Sequence, residues 1–181
     1  MSDRFFKYVI PEWFFRILAG GEINDLIELA QKLDADLDLQ MDHDDWAAVN
    51  TADDVGIACV LPSMGQDEDG VDIPPFFPGP NNPDHQERVH RVIRSSILQA
   101  AKVKIKNILV FTGYETDEDR AGQFGRIRDF YALPFGDAQE SLVALAANNG
   151  VVLHMEMLNT VGDVETWKGH PGYLGDSTLE L

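Results

Sequence analysis

Four short apolar runs and one that alternates apolar with acidic residues, spaced by stretches of helical periodicity, set the first limit on how this chain can fold. They are "KYVIP" at 7–11, "ADLDLQ" at 35–40, "GIACVL" at 56–61, "NILVFT" at 107–112 and "VVLHME" at 151–156, each of strand length. After the first run, Ile23, Leu26, Ile27, Ala30 and Leu33 recur at intervals of three and four and predict a helix. The acidic run at 42–45 suits the first turn of a short helix, where the helix dipole favours negative charge. Residues 63–83 hold five prolines and three glycines and read as a long loop. Asn82 and Pro83 then open the clearest helix, striped by Val89, Val92, Ile93, Ile97 and Ala100. Part of 114–134 is helical, and 138–150 is a helix stopped at Asn149-Gly150.

Strand and helix therefore alternate, which implies parallel strands joined by helical crossovers. An open doubly wound sheet and a (β/α) barrel both have this order. The first strand runs into "PEWFF" rather than the glycine-rich turn of a dinucleotide-binding sheet. The expected fold is thus α/β, a partial (β/α) TIM barrel of about five parallel strands with outer helices, in one domain over 1–181.

Charge excludes one class of partner. Fourteen basic against 31 acidic residues give a net charge of −17, with no basic patch, which opposes binding to phosphate backbones. Cys59 is the single cysteine, so neither an internal disulfide nor a cysteine-rich zinc site can form. The apolar start is interrupted by Arg4, Lys7, Pro11 and Glu12 and is neither a signal peptide nor a membrane span. A cytoplasmic setting is the default, with no membrane partner.

Active sites of parallel barrels gather at the carboxyl ends of the strands. Glu156 falls at such an end, on one face with His154 and Val152 by the two-residue period. A carboxylate buried there needs a partner or a metal ion; if the strand stops one residue earlier, Glu156 is a solvated loop acid. Both readings stand on spacing alone. His170, in "HPGY", reads by itself as a surface histidine. The acids of 67–72 lack the closing glutamate of a calcium loop, and Ser95 and Ser96 have no partner histidine nearby.

The segments "NNPDHQERVHRVIRSSILQAAKVKIKNILVFTG", "SLVALAANNGVVLHMEMLNT" and "HPGYLGDST" resemble, in that order, the hydroxypyruvate isomerase-like branch of the xylose isomerase-like TIM-barrel family. The likeness is strong over about 81–178 and thin before it. It implies isomerisation or epimerisation of a small keto or aldo compound with a divalent metal, magnesium or manganese. It implies that Glu156 binds the metal and moves a proton, with Asn159, His170 and, more loosely, Trp13 near the substrate.

The family's other metal ligands come from its sixth to eighth strands. This chain reads as a member truncated after the fifth strand, expected to be inactive by itself and to self-associate through its open edges. The competing reading is a non-catalytic half-barrel that serves as an oligomerisation or interaction domain. A zinc-dependent DNA-repair endonuclease of the same superfamily ranks third, since it needs several zinc-binding histidines and a different charge.

Overall fold

The computed structural model describes residues 8–12, 15, 21–41, 43–52, 54–62, 79–113 and 120–156. They form β1 (Tyr8–Pro11), α1 (Ile23–Leu33), β2 (Ala35–Met41), α2 (His43–Asn50) and β3 (Ile57–Pro62). A single 3₁₀ turn at Pro83–His85 then leads to α3 (Gln86–Lys102), β4 (Asn107–Val110), α4 (Arg120–Ala132), α5 (Leu142–Asn148) and β5 (Val152–Met155). All four strand pairings are parallel.

The sheet order is β1-β2-β3-β4-β5, the order of the chain. This agrees with the expected barrel rather than a doubly wound sheet. A doubly wound sheet reverses direction at a switch point, so its strand order departs from chain order. Here every crossover advances by one strand in the same sense, and right-handed crossovers then put every helix on one face. The result is an arc of a (β/α) barrel, with helices outside and the opposite face turned inward.

Local chemistry sets the element ends. Glu22 and Asp25 form a capping box on α1, the Glu22 amide donating to the Asp25 carboxylate at 3.0 Å. Asn82 accepts from the Asp84 amide ahead of α3, with Pro83 in the first turn as its fixed φ allows. Ser141 caps α5 by accepting from the Ala144 amide at 3.1 Å. The helix expected over 138–150 therefore starts only at Leu142.

The fourth strand also ends early. Residues 111–113 leave the ladder after Val110, and Gly113 takes a φ of 88° there.

Between sheet and helices lies the core. Leu37, Leu39, Val60, Ile108 and Val110 meet Leu26, Ile93, Ile97 and Leu142, all buried. Each such side chain contributes about 1.5–3 kcal/mol by leaving water, so the alternation along each strand fixes which face meets the helices. Among the described residues no helix is long and apolar enough to cross a membrane.

Candidate active site

With Leu37 and Leu39 turned to the helices, the intervening Asp36 and Asp38 turn to the inner face. Asp36 has a structural task. Its carboxylate accepts from the Gly56 amide at 2.9 Å and so fixes the start of β3. A Cβ on Gly56 would lie 2.3 Å from that oxygen, so a larger residue there would have to displace the Asp36 carboxylate.

Asp38 pairs in register with Cys59, next to a shift in the β2–β3 ladder between Leu37 and Asp38. The Cys59 thiol donates to Asp38 Oδ1 at 3.1 Å. On β5, Leu153 and Met155 pack against the core, so Val152, His154 and Glu156 share the inner face. The Glu156 amide donates to the Val110 carbonyl at 2.9 Å, one rung beyond the Val110–Met155 pair. β5 itself ends at Met155, one residue earlier than the segment 151–156 expected, so Glu156 is an exposed residue just past the strand, still turned to the concave side by the two-residue period.

His154 is held by Asn107. The Asn107 amide group donates to the Ala58 carbonyl at 2.8 Å, which leaves Oδ1 as the acceptor 3.0 Å from His154 Nε2. The ring therefore donates from Nε2.

Asp38, Cys59 and Glu156 share one electrostatic environment. Burial raises the Asp38 pKa, and the thiol hydrogen bond offsets part of that rise. Glu156 as a residue is exposed, yet its carboxyl is partly withdrawn from water. That withdrawal raises its pKa, and the charge of Asp38 raises it further. Burial, the charge and hydrogen bond of Asp38, and the charge of Glu156 push the Cys59 thiol up to about 12. A carboxyl shifted toward neutrality can both give and take a proton, as acid–base catalysis requires.

Of the four residues to which the resemblance gave a role in the site, the described structure contains Glu156 alone. Trp13, Asn159 and His170 lie outside the described residues. The sequence reading missed Asp38 and Cys59 beside Glu156. Asp38 was detectable, because an acid alternating with leucines in a barrel strand must face inward.

As ligands, Glu156 and Asp38 fit a hard divalent cation in kind but not in number. A magnesium ion takes about six oxygen ligands, several of them usually water, and among the described residues no group of three or more His, Cys, Asp or Glu is placed to hold a metal.

No family model and no curated protein matches this chain. Among solved structures, the chain is similar in fold to a xylose isomerase domain protein from Planctomyces limnophilus. The TM-score is 0.51 and the identity 15%, over 83% of this chain and 53% of that one. A D-tagatose 3-epimerase-like protein aligns with a TM-score of 0.43 and 11% identity, over 87% of this chain and 55% of that chain. The chain spans about half the length of each. At such identity the first likeness is one of fold, and it agrees with the barrel arc derived from strand order.

Proposed function

We propose that this chain forms part of a sugar isomerase or epimerase, which moves a proton next to the carbonyl of a small keto or aldo compound. The observation that supports this most directly is Glu156. It follows the last residue of β5 on the inner face, and burial together with Asp38 raises its pKa. In this reading Glu156 takes the proton from the carbon beside the carbonyl and, in isomerisation, returns it to the neighbouring carbon on the same face, whereas epimerisation needs a second acid on the opposite face. Its raised pKa brings it nearer to neutral pH, where proton transfer in both directions is efficient. Asp38 keeps it there by repulsion, and the Cys59 thiol orients Asp38.

Glu156 would also supply one ligand to a magnesium or manganese ion, which when bound polarises substrate oxygens. The described residues offer too few ligands to hold the ion by themselves. Asn159, His170 and Trp13 are proposed substrate contacts at the same mouth. Hydroxypyruvate and small ketoses are the substrates to test first. The setting is the reducing cytosol, with neither nucleic acid nor membrane as partner, and the chain associates with itself. A form of the protein carrying eight strands, assayed with these substrates, should turn them over and lose that turnover on Glu156→Gln. Turnover that survives Glu156→Gln would refute the assignment. An inactive eight-stranded form would favour the non-catalytic half-barrel.

A further inference from the structure

Behind the carboxyl end of β4 lies a buried polar cluster that proton transfer does not use. Asn81 is fully buried, and Gln123 is 1% exposed. The Asn81 amide group donates to Gln123 Oε1 at 2.6 Å, and its backbone amide donates to the Thr112 carbonyl at 3.0 Å. Arg126 donates to the backbone carbonyl of Asn81 and, at 3.4 Å, to its side-chain oxygen. Alongside, Tyr131 donates to the Phe111 carbonyl at 3.1 Å and Gln86 to the Pro80 carbonyl at 2.8 Å. The backbone at 79 and 113 is in direct contact. A Cβ on Gly79 would fall 1.9 Å from the Gly113 Cα.

These contacts tie three separate pieces of chain, the segment entering α3, the end of β4 and the face of α4. Residues 111–113 follow Val110, the last ladder residue of β4, whose carbonyl accepts from the Glu156 amide. Removing one partner would leave buried polar groups unsatisfied, and a chain of such bonds acts as a unit. With no slack at the glycine contact, the backbone beside Glu156 has one available path.

We infer that Asn81, Gln123 and Arg126 are positioning residues, which hold the end of β4 as a fixed wall beside Glu156. The functional consequence rests on the proton-transfer reading, but the fixing of the wall does not. Amide hydrogen exchange on the 181-residue protein tests it, comparing wild type with Gln123→Leu and Arg126→Ala. The amides of Asn81 and Glu156 bridge the wall, and the Leu37 amide, bonded to the Gly56 carbonyl at 2.9 Å, is the distant control. Exchange at Asn81 and Glu156 should quicken about tenfold or more, with Leu37 unchanged within about twofold. Equal acceleration at all three amides, or none, overturns the inference. Arg126 is only partly buried, so Arg126→Ala decides the matter if Gln123→Leu does not fold. In an active eight-stranded form, Arg126→Ala should lower kcat with little change in KM, and an unchanged kcat would remove the catalytic consequence. An eight-stranded wild type that is silent on every substrate removes the proton-transfer reading, while the exchange result still judges the wall.

Discussion

The Cys59 thiol donates to the Asp38 carboxylate at 3.1 Å, joining neighbouring strands on the inner face of the sheet. The bond ties the state of the one cysteine to the site around Glu156. Burial comes first among the causes that push the thiol from 9.0 to about 12, followed by Asp38 and then Glu156. A raised pKa means less thiolate at a given pH. Iodoacetamide at pH 8 should therefore alkylate Cys59 far more slowly than a free thiol, and Asp38→Asn should speed the reaction. Rapid alkylation of the folded wild type would show that the thiol is not held in this way.

Two glycines should respond oppositely to alanine. Gly79 has a φ of +62° and touches the backbone of Gly113, so Gly79→Ala meets both strain and a clash. The strain alone costs about 1–2 kcal/mol, and the clash adds to it. Gly125 sits within α4 with open space where a Cβ would go. Gly125→Ala should stabilise by about 0.5–1 kcal/mol, as alanine does within a helix. Urea unfolding of the two variants measures both signs.

Much of this fold was written in the chain because its strands are short, apolar and bounded by turn residues. The expected segments 7–11, 35–40, 56–61, 107–112 and 151–156 correspond to Tyr8–Pro11, Ala35–Met41, Ile57–Pro62, Asn107–Val110 and Val152–Met155. The overlong fourth segment is instructive. Phe111 and Thr112 look like strand in composition, but contacts to Asn81 and Tyr131 draw their carbonyls out of the ladder. Those partners lie 20 or more positions away, beyond the reach of local patterning. For Glu156 the two-residue period gave the face, but spacing alone did not show that β5 stops at Met155. The Cys59–Asp38 bond was not, because "GIACVLP" is uniformly apolar and conceals which of its residues face inward.

His90 should make stability fall in mild acid. Its ring stacks on Phe135 at 5.0 Å and meets the edge of Phe130 at 6.0 Å, and its buried Nε2 has no hydrogen-bond partner among the described residues. Burial first, then the charge of Arg94, lowers its pKa below 6.5. The folded state thus favours the neutral ring, and the unfolded chain binds the proton more readily. This contribution is complete above pH 6.5 and is lost as pH falls below that value through the folded pKa. Thermal melts of His90→Phe should show a weaker fall between pH 7 and 5 than wild type. Identical slopes would assign the acid sensitivity elsewhere.

Self-association should come from the two outer strands of the described sheet. Tyr8, Val9 and Val152 are 70%, 47% and 52% exposed on β1 and β5, whose outer backbone groups offer a template for pairing. The charge of −17 opposes contact between copies, so salt should promote association by screening. Light scattering should show oligomers that grow with ionic strength, and Val9→Lys with Val152→Lys should shift them toward monomer. A wild-type chain that stays monomeric at every salt concentration would contradict this.

The account turns on Glu156 as the residue that moves a proton beside a carbonyl. Solvent-deuterium exchange tests this most directly, by following the protons next to the carbonyl of hydroxypyruvate and small ketoses in D₂O by proton NMR. The eight-stranded form should wash these protons out, the 181-residue chain should not, and Glu156→Gln should slow the eight-stranded form by about 10²–10⁴-fold. Exchange that continues undiminished after Glu156→Gln would contradict the account.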